Sequence, residues 1–145
     1  MHQILIRNGL AGLALAALAG SGSAAVAETI AYKATLNAQN QVPPNDTKGT
    51  GTAEITYDTA TKTLTWTVTF SDLTGPATAA HFHGPAEAAK TAGVVIMIGN
   101  NPTSPAKGTA TLTDAQAADL AAGLWYVNVH TAAHRPGEIR GQVTK

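Results

Sequence analysis

The stretch 63-TLTWTVTF-70 sets Leu64, Trp66, Val68 and Phe70 on one side of an extended chain and threonines on the other. Side chains of a strand alternate between its two faces, and β-branched and aromatic residues suit a pleated surface. This period of two therefore reads as a half-buried β-strand. Just upstream, 52-TAEITY-57 alternates in the same way with Ala53, Ile55 and Tyr57, and 58-DTATK-62 supplies turn formers between them. Two alternating runs joined by a short polar turn make an antiparallel hairpin.

The same grammar extends in both directions. Residues 29-TIAYKATL-36 place Ile30, Tyr32, Ala34 and Leu36 on one face, and a loop follows in which Pro43-Pro44 bars a ladder strand. Downstream, 78-TAAHFHG-84 alternates, and 93-GVVIMIG-99 is a continuous apolar run that suits a strand covered on both sides. The only helix signal is 114-DAQAADLAA-122, with Thr113 and Gln116 spaced as a capping box and Gly123 placed to end it. The segments 124-LWYVNVH-130 and 137-GEIRGQV-143 close the chain as strands. About eight short strands with one short helix predict an all-β, antiparallel sandwich or barrel.

Residues 1–27 are expected to be a cleaved secretion signal. They carry Arg7, an apolar run over Leu10–Ala19 and an A-x-A ending at Ala25-Val26-Ala27. The run is too short for a span, which needs roughly 20 apolar residues. Residues 28–145 then form one domain, periplasmic or secreted, with no membrane anchor after cleavage. Without Arg7 the chain has eight basic against nine acidic residues, which gives no electrostatic footprint for nucleic acid. The absence of cysteine excludes thiolate metal sites, blue copper among them, and cysteine nucleophiles.

The domain's four histidines fall in two short stretches, 79-AAHFHGPA-86 and 128-NVHTAAHRPGEIRGQ-142. Parity puts Phe82 toward the core and His81 and His83 on the other face. It likewise turns Trp125, Val127 and Val129 inward and Tyr126, Asn128 and His130 outward. In the last segment Ile139, Gly141 and Val143 face in and Glu138, Arg140 and Gln142 face out. The chemistry is therefore expected on the solvent-side or loop-covered face of the sheet. Residues i and i+2 of a strand lie roughly 6.6 Å apart on one side, so two imidazoles can lean toward one ion. His134 follows His130 in a turn able to fold it back. Such an all-imidazole site favours copper, with zinc or nickel behind it. Taken one at a time, these are ordinary surface histidines; it is the pairing and the shared parity that point to metal.

The segments 79-AAHFHGPA-86, 93-GVVIMIG-99 and 112-LTDAQAADLAAGLWYVNVHTAAHRPGEIRGQV-143, with the opening 34-ATLNAQNQVPP-44, resemble the CHRD (chordin) domain family over nearly the whole mature chain. Arg135-Pro136 stands where many members carry His directly before Pro, which displaces His134. The resemblance implies an immunoglobulin-like sandwich or barrel similar to copper/zinc superoxide dismutase, whose copper site uses an H-x-H strand pair and a later strand histidine. By that analogy His81, His83 and His130 are the ligands and His134 a fourth ligand or a neighbour, with Tyr126, Asn128, Glu138 and Arg140 in support.

Three functions compete. The first is an exported copper-binding protein for storage, delivery or sequestration. The second is a non-catalytic interaction or structural module in which the histidines hold loops and Glu138 and Arg140 form a surface pair. The third is a dismutase-like redox enzyme in which Arg140 steers an anion; no histidine-rich loop for a second, structural metal supports it. Hydrolase chemistry has no visible basis, because Ser71 and Ser104 are expected in turns and the acidic residues are dispersed. On balance the chain reads as a binding protein more than an enzyme.

Overall fold

The alternation seen in the sequence builds a single antiparallel sheet. The computed structural model describes residues 26–145 together with Gly22. The expected signal segment therefore lies outside the described residues, except for Gly22, Val26 and Ala27. The strands are β1 (Thr29–Asn37), β2 (Thr50–Asp58), β3 (Thr63–Ser71), β4 (Ala77–His83), β5 (Val94–Asn100), β6 (Ala106–Thr111), β7 (Tyr126–Thr131) and β8 (Ile139–Gln142). They are ordered β5-β4-β7-β8-β1-β2-β3-β6, and β5 returns close to β6, so the sheet curls into a nearly closed barrel.

The inside of the barrel is the core that parity predicts. Leu64 and Val68 of β3, Phe82 of β4, Val127 and Val129 of β7 and Ile139 of β8 are all fully buried. Trp66 and Trp125 flank Phe82, with ring centroids 5.4 Å and 5.7 Å away. The β2–β3 hairpin pairs Ile55 with Trp66 and Ala53 with Val68, so apolar side chains face each other across the ladder. The helix α1 (Asp114–Ala121) starts at Thr113 with the full capping box, and Gly123 follows it at φ 75°. Leu120 is its buried residue and packs into the same core.

Two expectations are corrected. The run 93–99 does not form a strand covered on both sides: β5 ends the strand order, and Val94 and Met97 are about half exposed. Register shifts between Ala80 and His81, and between Phe82 and His83, break its pairing with β4, so alternate facing is lost without any polar residue to mark it. Glu138 and Arg140 do not form a surface pair. Both are buried, at 0% and 2% exposure, and the only ion pair among the described residues is Lys62–Asp114.

Gly141 shows how tightly β8 is held against β1. A Cβ at this position would run into the main-chain carbonyl of Thr35, which cannot move without parting the two strands. Gly141→Ala is expected to cost about 1–3 kcal/mol, read as a lower urea midpoint at unchanged slope.

Candidate metal centre

The outer face of β4, β7 and β8 carries the polar residues, and ladder register decides which of them meet. His81 lies opposite Asn128, His83 opposite Tyr126, and Ala79 opposite His130. Diagonal neighbours on such a ladder are within reach of aromatic side chains. His81 Nδ1 accordingly lies 3.0 Å from His130 Nε2, and His83 Nε2 lies 3.0 Å from Asn128 Oδ1. One ring nitrogen from each of His81, His83 and His130 falls within 4.8 Å of the other two. Two nitrogens bound to one ion at about 2.1 Å are at most about 4.2 Å apart, so side-chain rotations of under about 1 Å close the triad on a metal.

The face is outside the barrel, as parity requires, but it is not open to water. The loop 84–93 folds over its lower half. Ala92 O faces His83 Nδ1 at 3.0 Å and also accepts from the Tyr126 hydroxyl. Lys90 O accepts from Arg140 Nη2 at 2.6 Å. Ala86 O accepts from Gln142 Nε2. The loops 38–49 and 132–137 cover the upper half: Gln41 Nε2 donates to Pro136 O, Asn45 Nδ2 to Glu138 O, and His130 Nδ1 to Arg135 O at 2.7 Å. Asn128, Tyr126 and His83 are buried in consequence, and His81 and His130 remain partly exposed.

These partners fix tautomers. A carbonyl only accepts, so His130 carries its proton on Nδ1 and presents the Nε2 lone pair toward His81. His83 is in a less comfortable position. Both of its nitrogens face oxygens, Ala92 O and Asn128 Oδ1, and Asn128 Nδ2 is turned away toward Pro136 O. Either neutral tautomer leaves one lone pair pointing at an oxygen. Protonation would satisfy both, yet burial lowers the His83 pKa, and His130 and Arg140 push the same way against the raising effect of the two hydrogen bonds. A metal ion on Nε2, with Nδ1–H kept on Ala92 O, relieves that conflict. A backbone carbonyl orienting a ligating imidazole is the usual outer-shell device.

The support behind His83 is a stack. Tyr126 lies parallel to His83, with ring centroids 4.8 Å apart and planes 2° from parallel. From the β8 side, Arg140 Cζ sits 3.5 Å from the centre of the Tyr126 ring. Arg140 is thus enclosed by a ring and carbonyls and is not exposed to steer an anion, contrary to the expectation. Glu138 serves the fold. Its carboxylate accepts from Thr74 N (2.9 Å), Thr74 Oγ1 (2.8 Å) and Thr131 Oγ1 (2.7 Å). Thr74, Thr131 and the Ala92 carbonyl were not singled out from sequence. Thr131 directly follows His130 and carried a local signal, whereas a backbone carbonyl carries none.

His134 is not brought to the triad. It sits in the turn 131–134, where its amide donates to Thr131 O at 3.2 Å, and it is not among the histidines whose nitrogens converge.

Burial, then His130 and His83, depress the His81 pKa to about 4. His81 is therefore neutral at pH 7, the form a metal requires. The unfolded chain takes up a proton near pH 6.5 and the folded one only near 4. This stability is fully present above about pH 6.5 and is lost as pH falls toward 4. Urea unfolding of metal-free protein at pH 7 and pH 5 is expected to show a larger loss for wild type than for His81→Gln.

Residues 32–143 match the model of the CHRD domain family. No curated protein and no solved structure matches the chain. No helix among the described residues is long and apolar enough to cross a membrane. With a family match covering the barrel from β1 to the residue after β8, and both histidine stretches inside it, the chain belongs to the CHRD domain family.

Proposed function

We propose that this CHRD domain is an exported, non-catalytic module that binds one transition-metal ion, copper before zinc or nickel, through His81, His83 and His130. The observation that carries this reading is the convergence of three imidazole nitrogens within 4.8 Å on one ladder. Each sits on a strand, and two of the rings are oriented by backbone carbonyls. The all-nitrogen donor set favours copper. Partial exposure of His81 and His130 suits uptake and release, hence storage, delivery or sequestration. Equilibrium dialysis of the mature chain against copper tests the reading. One ion per chain is expected; no stoichiometric uptake, or uptake unchanged in His81→Ala/His83→Ala, overturns it.

A second reading has its own support. The bonds from His83 to Ala92 O and from His130 to Arg135 O also pin the loops 84–93 and 132–137. On a purely structural role the histidine variants lose stability while the wild type takes up no metal, and the same dialysis separates the two.

A further inference from the structure

Met97 is the only methionine besides Met1, and it lies on β5 directly opposite His81. Residues opposed on a ladder share a face, with Cβ atoms about 4.5–5.5 Å apart. The register shift between Ala80 and His81 creates this pairing. Ala80 pairs with Gly99, and unbroken register would set Ile98 against His81; the irregularity sets Met97 there instead. Burial agrees: Ile98 turns into the core at 9% exposure, while Met97 stands 49% exposed on the outer face with the histidines. β5 is the last strand of the sheet, so this flank of the triad lies at the sheet edge, while the His83 flank is sealed by Tyr126 and the loop 84–93. A bulge that re-aims one side chain beside a polar cluster is a recognised device at functional sites.

A thioether is a soft donor. It adds little for Zn(II) or Cu(II) and much for Cu(I), which takes sulfur and imidazole ligands together. Methionine's three rotatable bonds let the sulfur reach across a ladder pair without moving the backbone. We propose that Met97 Sδ completes the histidine triad and makes it selective for Cu(I). This rests on the triad being the metal site.

The test compares the mature wild type, Met97→Leu and His81→Ala/His130→Ala by anaerobic competition with a Cu(I) chelator. Zn(II) and Cu(II) competition run in parallel, with circular dichroism to confirm each fold. Leucine keeps the volume and apolar character of an exposed side chain and removes only the sulfur. Met97→Leu is expected to weaken Cu(I) about tenfold or more and to leave Zn(II) and Cu(II) within about twofold. Cu(I) affinity unchanged in Met97→Leu overturns the thioether ligand while leaving the triad standing. An equal loss for all three ions overturns the selectivity. Failure of the wild type to bind any of the three overturns the triad reading itself.

Discussion

Glu138→Ala is expected to destabilise the domain by about 2–4 kcal/mol, with a fall in Tm of roughly 10 °C. The carboxylate is fully buried and accepts three hydrogen bonds from Thr74 and Thr131, tying the chain after β3 to the end of β7. Alanine leaves the Thr74 amide and two hydroxyls without their acceptor. The Thr131 hydroxyl is buried, and a buried donor so abandoned costs about 1–3 kcal/mol before local rearrangement, while Thr74 is exposed and its donors turn to water at smaller cost. Burial raises the Glu138 pKa, but the Thr131 and Thr74 bonds outweigh it and hold the carboxyl below its ordinary value. The unfolded chain then protonates first on acidification. This contribution is fully present above the ordinary carboxylate range and is lost as pH falls through the lower native pKa. Thermal scans from pH 7 to pH 3 should show that acid-dependent fraction in wild type and not in Glu138→Gln.

The second large effect is on metal. His81→Ala, His83→Ala and His130→Ala are each expected to weaken copper binding by roughly 100-fold or more. Loss of an outer-shell partner alone typically costs 10–100-fold, and removing a ligand costs more. His134→Ala is expected to change affinity by less than about threefold, because its turn keeps it away from the triad. Chelator competition on the four single variants checks both statements. A His134 effect as large as that of His130 would contradict the geometry.

The contrast between His130 and His134 shows what the sequence could and could not convey. His130 lies on β7, where period-two parity ties its direction to that of Val129 and Val127, and those are buried. His134 lies in a turn, where no period applies, so its direction could not be read. The barrel core was legible for the same reason: Leu64, Trp66 and Val68 declare their face by the threonines between them. In 93-GVVIMIG-99 every residue from Val94 to Ile98 is apolar, so nothing local shows where the ladder with β4 slips. Arg140 lies on the face parity gave it, against Tyr126, but is buried there. Glu138 sits just before β8 and turns its carboxylate to Thr74 and Thr131. The loops 38–49, 72–76 and 84–93 that cover them come from distant parts of the chain, and no local pattern encodes that docking. The stack of Arg140 on Tyr126 and of Tyr126 on His83 is likewise a product of strand order, with β7 between β4 and β8.

Copper X-ray absorption on the copper-loaded domain, residues 28–145, tests the central claim most directly. Three imidazole scatterers at about 2.0 Å are predicted in wild type, falling to two in His130→Ala. One imidazole or none in wild type, or an unchanged count in the variant, would contradict the account.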